Sequence, residues 1–198
     1  ANVTDLHSII RPPGTTTMWA VGANGTILRY YGTSWTSVTS PVTTNLYSVH
    51  FSDANTGWIA GAEGMILQYA SGVWVNVSPG VQANLYSVFI NDTNHSWAVG
   101  DNSTILFYDG AVWETQALNI NVGYYSAPFM FDLDEDGKKD LFVGDDPGNV
   151  WFFKNVGSDD APDFRYGFRM NVGLQAQIGT STNFIDVGQF ATPQICNW

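Results

Sequence analysis

Residues 58–69 read W-I-A-G-A-E-G-M-I-L-Q-Y, and two further stretches of the chain repeat this pattern. The counterparts are residues 19–30, W-A-V-G-A-N-G-T-I-L-R-Y, and residues 97–108, W-A-V-G-D-N-S-T-I-L-F-Y, so each step is 39 residues. A second set of tryptophans keeps the same spacing at Trp35, Trp74 and Trp113. A fixed period of about 40 residues is the sequence signature of a repeat architecture, in which each unit is one supersecondary structure.

Each unit contains four short apolar or alternating segments. In the second unit they are Leu46 to Phe51, Gly57 to Ala62, Met65 to Ala70 and Val73 to Val77, with turn-forming residues between them. No segment shows a sustained 3.6-residue apolar period, which argues against a helical solenoid. Four strands in about 40 residues are typical of a propeller blade. The sequence therefore predicts an all-β fold of β-propeller blades, each a four-stranded antiparallel sheet, belonging to a larger or incomplete propeller.

The recurring tryptophans are interpreted first as packing groups, because a large ring between neighbouring blades buries roughly 150–250 Å². Positions that differ between units are better candidates for binding, since the shared fold does not dictate their side chains. One such position holds Arg29, Gln68 and Phe107 in the three units. Another holds His7, Tyr47 and Tyr86. We predict that Tyr47, Tyr86 and Trp113 face a ligand.

Four landmarks of the repeat, L-x-S-V, W-A-V-G, G-x-I-L-x-Y and x-G-x-x-W, resemble the BNR-type propeller repeats of photosystem II assembly factors and of many bacterial and archaeal surface proteins. Residues 108–113, Y-D-G-A-V-W, are similar to a degenerate Asp-box, S-x-D-x-G-x-T-W. The resemblance covers residues 5 to about 118 and implies three 39-residue BNR-like blades within residues 1–120. Because an Asp-box is a turn motif and not a catalytic group, the resemblance implies a fold more than a function.

Residues 132–140 read D-L-D-E-D-G-K-K-D and predict a cation-binding loop. The carboxylates at loop positions 1, 3, 5 and 9 belong to Asp132, Asp134, Asp136 and Asp140. These carboxylates converge if the chain curls around one point. The backbone carbonyl of Lys138 would add a further oxygen ligand for Ca²⁺, which binds six to eight oxygen atoms. An EF-hand would need flanking helices and a glutamate at position 12, where Val143 stands. Magnesium, manganese or an acidic turn without a cation are the alternatives.

Residues 126–163 resemble the FG-GAP/VCBS repeat, which also occurs in the propellers of integrin α-subunits. The matching stretch begins at Ala127 with A-P-F-M-F-D-L-D-E-D-G-K-K-D-L-F-V-G-D. The resemblance implies an FG-GAP/VCBS-type blade over residues 121–187, whose calcium ion stabilises the blade. Residues 191–198 align with the start of this blade, so residues 188–198 predict the beginning of a further, truncated repeat in a longer protein.

The composition argues against several classes of function. A net charge of −11 with only seven Lys and Arg residues disfavours binding to nucleic acid or to anionic membranes. The single cysteine, Cys196, allows no intrachain disulfide, and no apolar run of about 18 residues predicts a membrane span. No acid–base pair, activated nucleophile, phosphate loop or zinc motif is recognisable, so we predict that the chain is not an enzyme.

These observations favour a secreted or cell-surface, non-catalytic β-propeller scaffold that is stabilised by calcium and binds a protein or a glycan, as in adhesion. One alternative is a structural subunit of an extracellular filament or surface layer, which would self-assemble through exposed strand edges. Another alternative is an ancillary domain of a larger carbohydrate-active enzyme. Several N-x-S/T sequons suit an extracellular glycoprotein, although a chain rich in Asn, Ser and Thr also produces them by chance.

Overall fold

The computed structural model describes residues 5–92, 94–102, 104–116, 127–144 and 149–170. In these residues the chain forms four sheets, each of four strands, which we number as blades 1 to 4 in chain order. Blade 1 contains β1 (Leu6–Ile10), β2 (Met18–Gly22), β3 (Ile27–Tyr30) and β4 (Trp35–Ser37). Blade 2 contains β5 (Leu46–Phe51), β6 (Gly57–Gly61), β7 (Ile66–Ala70) and β8 (Val73–Asn76). Blade 3 contains β9 (Leu85–Ile90), β10 (Ser96–Gly100), β11 (Thr104–Tyr108) and β12 (Trp113–Thr115). Blade 4 contains β13 (Ala127–Phe131), β14 (Asp140–Gly144), β15 (Val150–Asn155) and β16 (Phe164–Arg169).

Each blade is an antiparallel meander in which every strand pairs with the next one in the sequence. The first strands of consecutive blades, β1, β5, β9 and β13, contact one another. We call them the inner strands. Serine hydroxyls join them, because Ser8 Oγ accepts a hydrogen bond from Val49 N and Ser48 Oγ accepts one from Val88 N, each at 3.3 Å. The predicted all-β propeller fold is confirmed, and the strands of blade 2 lie within one residue of their predicted bounds.

The second strands of blades 2 and 3 lie between two neighbouring blades, which explains their continuous apolar sequence. Every residue of β6, β10 and β14 is buried, whereas the outer strands β4 and β8 expose most of theirs. A strand that is covered on both faces has no polar face to alternate with its apolar one. The recurring W-A-V-G pattern is thus the sequence of a fully covered strand.

The turn between the second and third strands requires left-handed backbone conformations. Asn24 and Glu63 have φ of 55° and 57°, and they precede Gly25 and Gly64, whose φ values are 67° and 70°. A Cβ atom at Gly64 would overlap the carbonyl oxygen of Val81, in the segment that leads to the next blade. At Gly25 and Gly64 only glycine avoids both the strain and the overlap, so these two residues permit the close approach of the segment that leads to the next blade, whereas the third unit has Ser103 at this position.

Aromatic rings fill the interfaces between blades. Trp19 of blade 1 meets Trp74 of blade 2 with ring centroids 5.6 Å apart and an interplanar angle of 89°. Trp58 meets Trp113 of blade 3 at 5.2 Å and 83°, and Trp97 of blade 3 meets Phe164 of blade 4 at 5.0 Å and 65°. Edge-to-face contacts of this kind stabilise aromatic pairs by about 0.5–1.5 kcal/mol beyond the area they bury. All of the repeated tryptophans except Trp35 are therefore packing groups, as the sequence predicts.

One face of blade 1 is not covered by any of the described residues. Leu6 and Trp35 are 49% and 40% exposed, whereas their counterparts in blade 2, Leu46 and Trp74, are 0% and 5% exposed. Ile9 is likewise 62% exposed. This face has the composition of an interface between blades, which agrees with the predicted larger or incomplete propeller.

Two further sequence predictions concern the division of the chain. The predicted boundary at residues 120/121 falls among residues 117–126, and the predicted further repeat covers residues 188–198; both lie outside the described residues. The four sheets agree with three blades of one type followed by a fourth, but the bounds 1–120 and 121–187 stay predictions. Among the described residues, no helix reaches the length and hydropathy needed to cross a membrane.

Candidate binding surfaces

Three aromatic side chains form a row along the inner strands, which we call the inner row: His7, Tyr47 and Tyr86. The His7 and Tyr47 ring centroids are 5.4 Å apart, and those of Tyr47 and Tyr86 are 5.1 Å apart. Each residue lies at an irregularity in the pairing of the first and second strands, next to the first residue of its strand. His7 is exposed and the two tyrosines are half-buried, so the row is open to a ligand. The structure thus brings together two of the three predicted ligand-facing residues.

A carboxylate lies at the blade 3 end of the inner row. Tyr86 OH donates a hydrogen bond to Asp101 Oδ2 at 3.2 Å, and Asn84 Nδ2 donates to the same oxygen at 2.9 Å. The other oxygen, Asp101 Oδ1, is buried and has no hydrogen-bond partner among the described residues. Asp101 is not among the residues predicted to face a ligand. The available signal was a charged side chain at a repeat position that holds alanine in the other two units, Ala23 and Ala62.

A second set of rings lies nearer the other end of the inner strands. His50 contacts Phe89 at 5.1 Å, and Phe89 contacts Phe129 of blade 4 at 5.8 Å between ring centroids. His50 Nδ1 accepts a hydrogen bond from Ile90 N at 3.3 Å. Burial lowers the pKa of His50 from 6.5 to about 4, so its imidazole is neutral at physiological pH. These contacts give His50 a role in joining blades 2 and 3.

Trp113, the third predicted ligand-facing residue, is not part of the inner row. It lies between blades 2 and 3, is 9% exposed, and packs against Trp58 and Tyr108. Its indole Nε1 is buried without a hydrogen-bond partner among the described residues. Trp113 also lines a cavity of about 360 Å³ between these two blades.

The predicted metal loop connects the antiparallel strands β13 and β14, as expected for a hairpin and not for an EF-hand. Three of its carboxylates, those of Asp132, Asp134 and Asp136, have oxygen atoms within 4.8 Å of one another. The two oxygens of Asp132 accept hydrogen bonds from Asp136 N at 3.1 Å and from Gly137 N at 2.8 Å. Lys138 N donates to Asp136 Oδ1 at 3.0 Å. The backbone of the loop therefore holds carboxylates toward a common centre.

A lysine ammonium lies beside this carboxylate cluster. Lys154 Nζ donates hydrogen bonds to Asp134 and to Asp136, the latter at 3.0 Å. The hydrogen bond from Lys154 lowers the pKa of Asp136, and the two carboxylates raise the pKa of Lys154. Three oxygen donors in close proximity suit a hard cation such as Ca²⁺, and Lys154 partly neutralises their mutual repulsion.

Asp140, the fourth predicted carboxylate ligand, has a different environment. Its Oδ1 accepts a hydrogen bond from Asn155 N at 2.9 Å, and its Oδ2 accepts one from Leu133 N at 3.2 Å. Asp140 is fully buried, and this burial raises its pKa. The side chain thus ties the start of the loop to β15, and the structure gathers three of the four predicted carboxylates into the cluster.

Residues 108–113, which resemble a degenerate Asp-box, include the turn between β11 and β12. Asp109 Oδ1 accepts hydrogen bonds from Val112 N and Ala111 N, both at 2.9 Å. These bonds lower the pKa of Asp109. A carboxylate that accepts two backbone hydrogen bonds within its own turn fixes the turn conformation.

No family model and no curated protein matches the sequence. Solved structures do resemble it. "YCF48 bound to D1 peptide" is 16% identical with a TM-score of 0.55, and the match covers 81% of this chain and 54% of that chain. YCF48 from Cyanidioschyzon merolae is 15% identical with a TM-score of 0.55, and the match covers 82% of this chain and 57% of that chain. The chain spans just over half the length of these propellers. Likeness at this identity shows the β-propeller fold, while the BNR and FG-GAP/VCBS assignments of the repeats stay predictions.

Proposed function

We propose that this chain is part of a non-catalytic β-propeller scaffold, secreted or displayed at the cell surface, that binds a protein partner through the inner row. The observation that carries the proposal is the continuous line of accessible rings formed by His7, Tyr47 and Tyr86. Tyrosine suits this role because it offers a large, amphipathic contact area with few rotatable bonds to immobilise. A similar propeller solved with a bound D1 peptide supports a peptide segment as the ligand class.

The environment of the inner row limits the chemistry of the partner. Asp101 Oδ2 accepts a hydrogen bond from Tyr86 OH at 3.2 Å, so a carboxylate lies at one end of the inner row and favours a partner with a basic group there. The net charge of −11 also favours a neutral or basic partner over an acidic one. A glycan that stacks on the two tyrosines is the other ligand class to test.

The experiment is a selection of peptides from a random library on the immobilised protein, with a glycan array screened in parallel. We expect recovered peptides to bind wild type and to lose at least tenfold in affinity in Tyr47→Ala and Tyr86→Ala, because truncating a central aromatic residue costs about 1–2 kcal/mol or more. Tyr31→Ala is the matched control, since Tyr31 is an exposed tyrosine outside the row. Equal losses in all three variants, or ligands confined to the glycan array, would overturn the proposal of a protein partner.

We also propose that Ca²⁺ binds the carboxylates of Asp132, Asp134 and Asp136 and stabilises blade 4. The close approach of their oxygen atoms supports this proposal. At a calcium concentration 100 times the dissociation constant, binding adds about 2.7 kcal/mol to the stability of the folded state. For a chain of this length, that amount raises Tm by about 5–10 °C.

Thermal unfolding with increasing calcium tests this site. We expect Tm to rise in wild type and in Asp109→Asn, which alters the acidic turn of blade 3, and to stay constant in Asp132→Asn. Magnesium is expected to have a smaller effect, because it demands a tighter octahedral geometry. A wild-type Tm that does not respond to calcium would exclude the site.

One observation favours self-assembly, as in an extracellular filament or surface layer, as a second candidate function. The uncovered face of blade 1 exposes Leu6, Ile9 and Trp35, and exposed apolar patches commonly mark contacts between proteins. Light scattering over a range of protein concentrations tests this alternative. Mass that increases with concentration in wild type and not in Ile9→Lys would support it, and a constant mass would exclude it.

A further inference from the structure

The guanidinium of Arg29 packs on two aromatic rings of blade 1. Its Cζ atom is 4.9 Å from the ring centroid of Trp19 and 4.7 Å from that of Tyr31. Trp19 is buried in the core cluster between blades 1 and 2, whereas Tyr31 is 58% exposed. A cation over the face of an aromatic ring is attracted by the quadrupole of the ring. The two contacts therefore restrict the orientation of the guanidinium plane.

Arg29 has no counterion in the part of the chain that the structure describes. The ion pairs found there belong to His95, Lys154 and Arg165, although the chain carries 18 Asp and Glu residues in total. No described residue accepts a hydrogen bond from the Arg29 guanidinium. A half-buried cation without a counterion is unfavourable, because part of its hydration is lost and nothing replaces it. A ligand that supplies a negative charge would compensate for this loss.

The accessible part of Arg29 is the outer end of its guanidinium. The Nε atom is buried, so a ligand does not reach it. By contrast, Nη1 and Nη2 are not enclosed, and the residue is only half-buried. These two nitrogens present parallel N–H groups that match the two oxygens of a carboxylate in a bidentate pair. The geometry thus leaves an oriented pair of donors available to a planar anion.

Comparison of the three units shows that the fold does not require a charge at this position. The equivalents of Arg29 are Gln68 in blade 2 and Phe107 in blade 3, and each pairs with the tryptophan of its second strand. Packing on that tryptophan needs no cation, because the Phe107 ring packs on Trp97 at 4.6 Å. The charge of Arg29 is therefore not explained by the contacts between blades.

We propose that Arg29 binds the carboxylate group of a ligand through Nη1 and Nη2, beside the exposed ring of Tyr31. A carboxylate fits better than a phosphate, because one guanidinium offers two parallel donors and balances a single negative charge. The net charge of −11 also disfavours a dianion. Repulsion of a carboxylate by distant surface charges is weak, because they are screened beyond about 8 Å at physiological ionic strength. Peptide termini, acidic side chains and sugar acids all carry this group.

This site is separate from the inner row and does not depend on the function proposed for it. Arg29 pairs with Trp19, and Trp19 pairs with Ile10, the last residue of β1. The inner-row residue His7 is instead the second residue of β1. The two sites therefore lie toward opposite ends of blade 1, and the failure of one proposal leaves the other intact.

The experiment follows the arginine Nε–H and indole N–H signals of the ¹⁵N-labelled 198-residue chain by NMR at constant ionic strength. Burial of Arg29 Nε slows exchange of its proton with water, so its signal is observable, and Arg29→Lys assigns it. The acidic probes are N-acetylglycine, which represents a peptide terminus, and methyl β-D-glucuronide, which represents a sugar acid. Their neutral controls are N-acetylglycinamide and methyl β-D-glucopyranoside.

We expect the acidic probes to shift the Arg29 and Trp19 signals in a saturable manner, with dissociation constants on the order of 10–100 mM for ligands of this size. The neutral controls should cause no such shift. The acidic probe that binds more tightly identifies the source of the carboxylate, peptide or sugar. If Arg29 serves only to cover Trp19, neither acid shifts these signals, and the proposal is wrong.

Four variants test the geometry of the site. Arg29→Gln, which copies blade 2, should abolish the Trp19 response, and Arg29→Lys should weaken binding at least threefold because it keeps the charge but loses the bidentate geometry. Tyr31→Ala should weaken binding about threefold, because the guanidinium loses one of its two ring contacts. Arg165→Gln is the matched control and should change nothing, since Arg165 already pairs with Asp163 at 2.6 Å. A Trp19 response that persists in Arg29→Gln, or that the neutral probes also produce, would overturn the proposal.

Discussion

Leu6 and Leu46 are equivalent residues in blades 1 and 2, and replacing each with alanine tests whether the face of blade 1 is uncovered in solution. Each is the first residue of the inner strand of its blade and pairs with the glycine that ends the second strand. Leu46 is 0% exposed and belongs to the core cluster between blades 1 and 2, whereas Leu6 is 49% exposed. The two substitutions remove the same atoms from the same backbone setting, so any difference in cost arises from what lies against the face.

The expected magnitudes follow from burial. Leucine to alanine removes three carbon atoms, worth about 0.8 kcal/mol each when fully buried, or about 2.4 kcal/mol in transfer free energy. At Leu46 a cavity remains in a closed core, and the total cost rises to about 3–5 kcal/mol. At Leu6 about half of the transfer term applies and no enclosed cavity forms, so the cost is about 1 kcal/mol. We therefore expect the two variants to differ by about 2–4 kcal/mol.

Urea unfolding followed by tryptophan fluorescence measures both costs, and it should be repeated at several protein concentrations. Equal and large costs at every concentration would refute the inference that the face of blade 1 is open. A cost of Leu6→Ala that grows with protein concentration would mean that a second copy of the chain covers the face, because association stabilises the folded state by mass action. The same measurement thus discriminates between the two candidate functions.

Two further predictions concern charged and titratable groups. The unfolded chain binds a proton at His50 near pH 6.5 and the folded chain only near pH 4, so lowering the pH through this window reduces the free energy of unfolding by about 3 kcal/mol. His50→Phe, which copies Phe89 of blade 3, should remove that part of the pH dependence in urea unfolding at pH 7 and 4.5, and an unchanged slope would contradict the assignment. Lys154→Gln should lower Tm without calcium, because it removes the ammonium between Asp134 and Asp136. It should also lower the calcium concentration that gives half the thermal shift by about 3–10-fold, because the ammonium no longer repels the ion. Tighter calcium binding in wild type than in Lys154→Gln would show that Lys154 does not compete with the ion.

The period of 39 residues was sufficient to predict blades 1 to 3, the strands of blade 2 and the packing role of the tryptophans. These features repeat because each unit must pack against the next, so the same physical demand recurs at the same position. The metal loop was predicted in the same local manner, since its carboxylates are within nine residues of one another. Asp140 is the exception within the loop, because its hydrogen bond to Asn155 N depends on a pairing partner that the loop sequence does not contain.

Features that depend on which side of a blade a residue occupies were not predictable from the spacing alone. The sequence placed Tyr47, Tyr86 and Trp113 in one group of ligand-facing residues, but the structure puts Trp113 in a separate interface. Asp101 was overlooked because its contact with Tyr86 joins a turn to an inner strand 15 residues away. Both cases require knowledge of which side of a blade a residue occupies, and that side is set by the twist and register of the sheet.

The inner row has a physical origin in the repeat. A Cβ atom at Gly25 or Gly64 would overlap a backbone carbonyl, and the neighbouring blade encloses Trp19 and Trp58. His7, Tyr47 and Tyr86 lie outside these enclosed groups, so their side chains can differ between units without loss of the contacts between blades. If this is correct, exchanging Tyr47 for the histidine found in blade 1 should weaken partner binding while changing the free energy of unfolding by less than about 1 kcal/mol.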